Sequence, residues 1–431
     1  MQTVTQTLEA IAAIAEVKSL EMLEPLQQEI LTRSLPGQSV HWVSPNTQED
    51  LAAIVRLAAQ NRWRMVPCGH GSKLHWGGFV EDVALVVSSD RLNRLIDHAI
   101  GDLTVTVEAG ISFAQLQATL RRAGQFLAID PSYPEQATIG GIIATADTNS
   151  LRHRYNSVRD MLLGISFVRS DGELVKAGGR VVKNVAGYDL MKLLTGAYGT
   201  LGIVTQATFR VYPLPQASQT VVLSGEGAAI AQATETLLAS ALTPVCVDLL
   251  SAAASRAIGL APSVSLVVRF QSIAESVTQQ LERLTEVGAA LGLSTTVERE
   301  DETLWQRVGQ LMSPSVQAET IVCKIGVRAT EAISMLEQVA ALMPTAEVVI
   351  HAGSGLGRLS VRDVRSHQLL AVRSRCESSG GFLSVLQAPV SLKQQIEVWG
   401  YRGNALELMK RVKHQFDPHT LLSPHRFVGG I

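Results

Sequence analysis

The chain has 431 residues, 46% of them hydrophobic and 18% charged, with a formal net charge of -2. That length accommodates two or three domains of about 100–200 residues each, and the balance fits a folded protein with a sizeable core rather than a disordered one. The small charge and the absence of Lys/Arg runs exclude charge-driven nucleic-acid binding and a polybasic membrane patch.

Residues 1–35 place Leu8, Ile11, Ile14 and Leu23 at helical spacing, which predicts one or two short helices before the break at Pro36-Gly37. A helix is expected from Thr47, with Asp50 three residues on as a capping box and Leu51, Ile54, Val55 and Ala58 as its apolar stripe. A strand over Trp63–Pro67 then empties into the glycine loop Gly69-His70-Gly71-Ser72-Lys73. Strands follow at 83–87 and 103–107, and a helix from Ser112 ends near Gly124. From Ile165 to Val211 the pattern is mainly strand, with turns at Asp171-Gly172 and Gly178-Gly179. Pro213 and Pro215 mark a boundary.

Beyond that boundary, strands at 220–223, 245–250, 265–270, 321–327, 348–351 and 382–386 alternate with helices near 226–240, 273–291, 330–341 and 364–378. This rhythm predicts an α+β sheet covered on one face. A last helix carrying Leu406, Met409 and Val412 leads to a Pro- and Gly-rich tail. The expected organisation is therefore an N-terminal helical segment (1–35), a first domain (36–215), an inserted domain (216–395) and a closing segment (396–431).

No apolar segment reaches the roughly 20 residues that span a bilayer, and the N-terminus lacks a signal-peptide pattern. Cys68, Cys246, Cys323 and Cys376 show no CxxC spacing, so no self-contained iron–sulfur cluster or zinc knuckle is expected, and reduced thiols in the cytoplasm fit best. Any membrane association would come through partners.

The glycine loop matches neither a phosphate-binding P-loop nor the GxGxxG dinucleotide motif, because the spacings are wrong. Its main-chain N–H groups suit an anion nest, although taken alone the loop fits a plain structural turn equally well. The order of motifs is more specific. The loop, then Pro131-Ser132-Tyr133-Pro134 leading to Thr138-Ile139-Gly140-Gly141, then Gly187-Tyr188-Asp189-Leu190 and Gly199-Thr200-Leu201-Gly202-Ile203-Val204-Thr205, resembles the FAD-binding domain of the vanillyl-alcohol oxidase (PCMH-type) flavoproteins over residues 36–215. The ending Gln415-Phe416-Asp417-Pro418 to Leu422-Ser423-Pro424-His425-Arg426-Phe427 is similar to that family's closing segment, which returns to the FAD domain. The run Gly179-Arg180-Val181-Val182-Lys183-Asn184-Val185-Ala186-Gly187-Tyr188-Asp189 narrows the resemblance to the FAD-binding E subunits of bacterial glycolate oxidase.

The resemblance implies an α+β fold: a PCMH-type FAD-binding domain of two subdomains, plus an α/β cap domain with a mainly antiparallel sheet. It implies that Pro67, Cys68, Gly69, His70, Gly71 and Ser72 hold the FAD diphosphate, and that Thr138, Gly140, Gly141 and Thr145 line its centre, with Pro131 in the approach. Gly199, Gly202, Ile203 and Val204 would pack at the adenine end. Asp160 has two readings of equal standing, a ribose or adenine acceptor and a helix cap. Some relatives tether FAD through a histidine that aligns with Ser72 here, so non-covalent FAD is expected, with attachment to His70 as the alternative.

Related 2-hydroxy-acid dehydrogenases hold a divalent metal with two histidines seven positions apart. Here the segment reads His351-Ala352-Gly353-Ser354-Gly355-Leu356-Gly357-Arg358, with no second histidine, and no Glu-His pair occurs. No metal is therefore expected. His351 is read as a hydrogen-bonded strand-end residue, and Arg358 as a solvated side chain or a carboxylate partner; both are weak catalytic candidates. His41, His75, His153, His414 and His419 form no recognisable triad. The resemblance implies a subunit that oxidises glycolate to glyoxylate or relays its electrons, beside a second FAD-binding subunit and an iron–sulfur subunit. The alternatives are a non-catalytic assembly subunit and a free-standing FAD-dependent sugar-acid or alditol oxidase.

Overall fold

A computed structural model describes residues 4–180, 187–314 and 319–431. The part of the glycolate-oxidase-like run over 181–186 lies outside the described residues. The chain divides into two compact units: residues 1–147, 157–214 and 401–431 form the first, and 148–156 with 215–400 the second. The short excursion at 148–156 has no counterpart in the expected domain organisation.

In the first unit, the parallel strands His41–Ser44, Val83–Ser88 and Arg64–Cys68 lie in that spatial order, with Glu16–Lys18 antiparallel on the outer edge. Strand side chains alternate between faces. Val43, Met65, Leu85 and Val87 therefore meet the Gln48–Gln60 helix through Leu51, Ile54 and Val55. Trp42, Val66 and Val86 face Ile30 and Leu31 of the Pro25–Ser34 helix on the other side. The expected capping box exists: Asp50 N–H donates to Thr47 Oγ1 at 3.0 Å, and Thr47 N–H to Asp50 Oδ2 at 3.1 Å.

A second sheet of this unit is wholly antiparallel, in the order Leu95–Ala99, Thr104–Glu108, Ile203–Arg210, Leu162–Val168, Leu174–Gly178. The tail rejoins the first sheet. Met65 N–H donates to the Leu421 carbonyl at 2.6 Å, and Ser423 N–H to the Met65 carbonyl at 2.8 Å.

The second unit is built on an eight-stranded sheet in which every neighbouring pair is antiparallel. Its helices cover both faces, which corrects the expectation of one. Val221, Leu223, Leu249 and Ile350 pack against the helices Gly227–Leu238, Ala274–Ala290, Ala332–Leu342 and Ser366–Ser378. Val222, Leu250, Val267 and Val349, one position along, pack against Ala252–Ala257 and Glu302–Met312. Those last two helices escape a pattern reading because one has six residues and the other follows the charged run Glu298–Glu302.

Candidate functional site

The parallel strand Arg64–Cys68 delivers the glycine loop into a groove of the first unit. Serines after the neighbouring strand pin the loop by its carbonyls. Ser88 Oγ donates to the Gly69 carbonyl at 2.9 Å, and Ser89 N–H and Oγ donate to the Cys68 carbonyl at 2.9 and 3.2 Å. The loop's donors are left over: the N–H groups of Gly69, His70, Gly71 and Ser72 meet no acceptor among the described residues. Four adjacent main-chain donors without protein partners suit an anion.

The second wall is the helix Ile139–Thr145. Thr138 caps it, its Oγ1 accepting the Gly141 N–H at 3.3 Å, while the Gly140 N–H reaches the Ala109 carbonyl at 2.7 Å. A Cβ added at Gly69 would stand 2.1 Å from Thr138 Oγ1, so the two walls meet only because residue 69 has no side chain. The third wall is the turn 196–202, tied to that helix by Gly196 N–H to the Ile143 carbonyl at 2.9 Å and Tyr198 N–H to the Ala144 carbonyl at 2.8 Å. Gly199 has φ +73°, and a Cβ there would lie 2.5 Å from Pro67 Cγ. The three walls line one groove that is open to solvent on one side.

Pro67, Cys68, Gly69, His70, Gly71, Ser72, Thr138, Gly140, Gly141, Thr145, Gly199, Gly202, Ile203 and Val204 all line this groove. Pro131 and Asp160 do not. Pro131 is buried in the turn beside Ser132, whose N–H donates to Asp147 Oδ2 at 2.8 Å. Asp160 Oδ2 accepts from Ser157 N–H at 3.0 Å and Ser157 Oγ at 2.6 Å, capping the turn Val158–Met161. Of its two readings, the helix cap is the one formed.

Sequence reasoning did not select Lys73, Leu74, Ser89, Ala144, Leu194, Ala197, Tyr198 and Arg426, which also line the groove. Arg426 arrives from the tail. Its Nη2 donates to the carbonyls of Lys73 and Leu74, both at 3.1 Å, and its Nε to that of Trp76 at 3.3 Å. Burial pushes this guanidinium down to about 10, so it remains a cation at neutral pH. Lys73 Nζ is 2.9 Å from Asp147 Oδ2, with both side chains buried. Burial, and then the charge of Asp90, push the Cys68 thiol up, so it stays protonated.

The second unit holds a polar cluster. His351 Nδ1 lies 2.7 Å from Asp248 Oδ1 on the paired strand, and Ser150 Oγ donates to Asp248 Oδ2 at 2.5 Å. His153 is held below its ordinary value by burial, opposed by Asp248 and reinforced by His351 and Arg154. Ser150 and His153, three positions apart, and the distant His351 thus gather around one buried carboxylate, a grouping that the spacing of the histidines does not reveal. Arg358 is only 5% exposed. The solvated reading is corrected, because its strand Leu356–Arg362 is paired on both sides.

A run of main-chain donors, two further glycine-built walls and a buried cation suit an extended anionic ligand such as a dinucleotide. Residues 41–178 match the FAD binding domain family. The fold is that of p-cresol methylhydroxylase, with a TM-score of 0.77 at 15% identity over 98% of this chain and 96% of that one. The chain therefore carries an FAD-binding domain on a PCMH-type fold. Glycolate oxidase subunit GlcD of Bacillus subtilis is 25% identical over 89% of this chain and 87% of its own length. The mitochondrial cytochrome-type D-lactate dehydrogenase of Arabidopsis thaliana is 25% identical over 90% of the chain and 73% of its own. Glycolate oxidase subunit GlcE of Escherichia coli is 36% identical over 38% of the chain and 47% of its own.

Proposed function

We propose that this chain is the FAD-binding subunit of an oxidoreductase complex acting on a short 2-hydroxy acid of the glycolate class, and that it corresponds to the E-type subunit. One observation carries the reading. A groove bearing four unpartnered main-chain donors sits in a chain whose likeness to a glycolate oxidase subunit runs almost end to end. Likeness to GlcE at 36% identity supports the E-type assignment.

When bound, FAD supplies an acceptor for the two electrons of a CH–OH group. The chain's own residues bind and orient it. The Gly69–Ser72 donors suit the diphosphate, the bare faces of Gly140, Gly199 and Gly202 admit close approach, and Ile203 and Val204 give an apolar wall. Arg426 adds a fixed positive charge, which favours an anionic ligand in a desolvated groove. The cofactor is taken to be non-covalent. His70 Nδ1 lies 3.1 Å from the Gln136 carbonyl, and the Cys68 thiol is neutral. Likeness to two different glycolate oxidase subunits supports a multi-subunit complex, in which onward electron transfer is assigned to an iron–sulfur subunit and a second flavoprotein. No described helix is long and apolar enough to cross a membrane.

Arg358 in place of a second histidine favours one further reading, an assembly subunit whose FAD is not reduced directly. Anaerobic mixing of the FAD-loaded chain with glycolate or D-lactate, alone and with its partner subunits, tests both. Bleaching of the flavin band by the isolated chain supports the catalytic reading, and bleaching only with partners supports the assembly reading. Reduction by polyols alone, or by nothing in either setting, refutes the 2-hydroxy-acid assignment.

A further inference from the structure

The helix Leu406–Phe416 carries a buried lysine outside the groove. Lys413 is 5% exposed, and its Nζ donates to the Thr200 carbonyl at 2.8 Å, the Leu422 carbonyl at 2.8 Å and Asp417 Oδ2 at 2.6 Å. An ammonium has three donors, and all three are used. The acceptors come from different places: Thr200 lies between Gly199 and Gly202 on the groove's third wall, and Leu422 lies in the tail.

The same tail segment reaches the other side of the groove. Asp417 Oδ1 accepts the Leu421 N–H at 2.9 Å, and its Oδ2 accepts the Leu422 N–H at 2.8 Å. Leu421 and Ser423 pair with Met65, on the strand that ends in the glycine loop. Four residues past Leu422, Arg426 binds the carbonyls at the far end of that loop. One ammonium is therefore the junction between the 199–202 turn and a segment bonded to both ends of the 65–76 stretch.

We propose that Lys413 is a positioning residue for the cofactor: it sets FAD affinity from behind the groove by fixing the Thr200 turn relative to the glycine loop. The inference rests on the FAD reading but not on the choice of substrate. Buried charge-assisted hydrogen bonds hold geometry tightly, and leaving their acceptors unmet is costly. A turn freed to shift loses the fit that lets Gly199 approach Pro67.

The test uses the full chain stripped of FAD and titrated with FAD, following flavin fluorescence, with thermal unfolding of the stripped protein measured in parallel. K413M removes every donor, and K413Q keeps an N–H₂ group. K413M is expected to weaken FAD binding about tenfold or more, with K413Q in between. V372A, which opens a cavity in the core of the second unit, serves as the control for stability alone and should leave the dissociation constant within about twofold. If K413M does not fold, K413Q decides. A dissociation constant within about twofold of the parent in the lysine variants overturns the proposal, as does an equal loss in V372A at matched stability. A parent chain that takes up no FAD overturns the cofactor reading as well; substrate turnover does not enter the measurement.

Discussion

Asp147→Asn is the sharpest perturbation of the groove's foundation. Lys73 is 6% exposed and Asp147 1% exposed, so solvent does little to soften the loss of the pair. Asparagine keeps an oxygen for the Ser132 N–H but offers no charge to an ammonium now 2.9 Å from a neutral group. Removing one partner of a buried ion pair costs about 3–5 kcal/mol, because the remaining charge is stranded. At roughly 2–4 °C per kcal/mol for a unit of this size, the melting temperature of the first unit should fall by about 6–20 °C. Circular dichroism melts of the FAD-free chain measure this, with flavin release on heating the FAD-loaded chain as a probe confined to the first unit. The double variant Lys73→Met/Asp147→Asn should recover much of the loss, since methionine removes the stranded ammonium while asparagine keeps an acceptor for the Ser132 N–H. A fall of less than about 2 °C in the single variant, or no recovery in the double, would refute the reasoning.

Three further outcomes are expected. Gly199→Val should abolish FAD retention on purification, because a branched side chain at φ +73° is strained and its Cβ would lie 2.5 Å from Pro67 Cγ; normal flavin content per chain would contradict this. None of the four cysteines should react quickly with a thiol reagent in the folded protein, since burial pushes Cys323 and Cys376 up to about 12 and Cys68 higher; the count should rise to four in denaturant. His153 has a lowered folded-state pKa, so the unfolded chain binds more protons and stability falls as the pH drops from neutral through about 6.5, fully so below the folded value. His153→Gln should flatten that acid-side slope in urea unfolding, and an unchanged slope would count against it.

The parts of the molecule that could be read in advance were those encoded by local rules. The Thr47–Asp50 capping box, the Ser112 cap and the strand feeding the glycine loop each lie within a few residues. Short apolar runs separated by helical stretches placed six strands of the second unit. What escaped was set by partners distant in sequence. Asp160 carries the same side chain whether it binds a ribose or caps a helix, and only the position of Ser157 decides. Arg358 was read as a solvated side chain, yet its strand is paired on both sides and the residue is buried.

The same distinction explains why the groove's glycines were legible and its cations were not. Gly199 is chosen by its own backbone, whose φ of +73° few other residues adopt at low cost. Gly69 is kept bare by Thr138 across the groove, but a glycine stands out in the sequence in either case. Arg426 and Lys413 are chosen by carbonyls some 350 and 213 positions away in the chain. Nothing near them in sequence distinguishes a buried cation from a solvated one. Their burial is tolerable only because the tail returns to bring donors and acceptors together, since an unmet buried ammonium costs several kcal/mol. The closing segment therefore does more than finish the fold. Without it the glycine turns would keep their shapes, while the bonds holding the Thr200 turn and both ends of the glycine loop to a common strip of backbone would be gone.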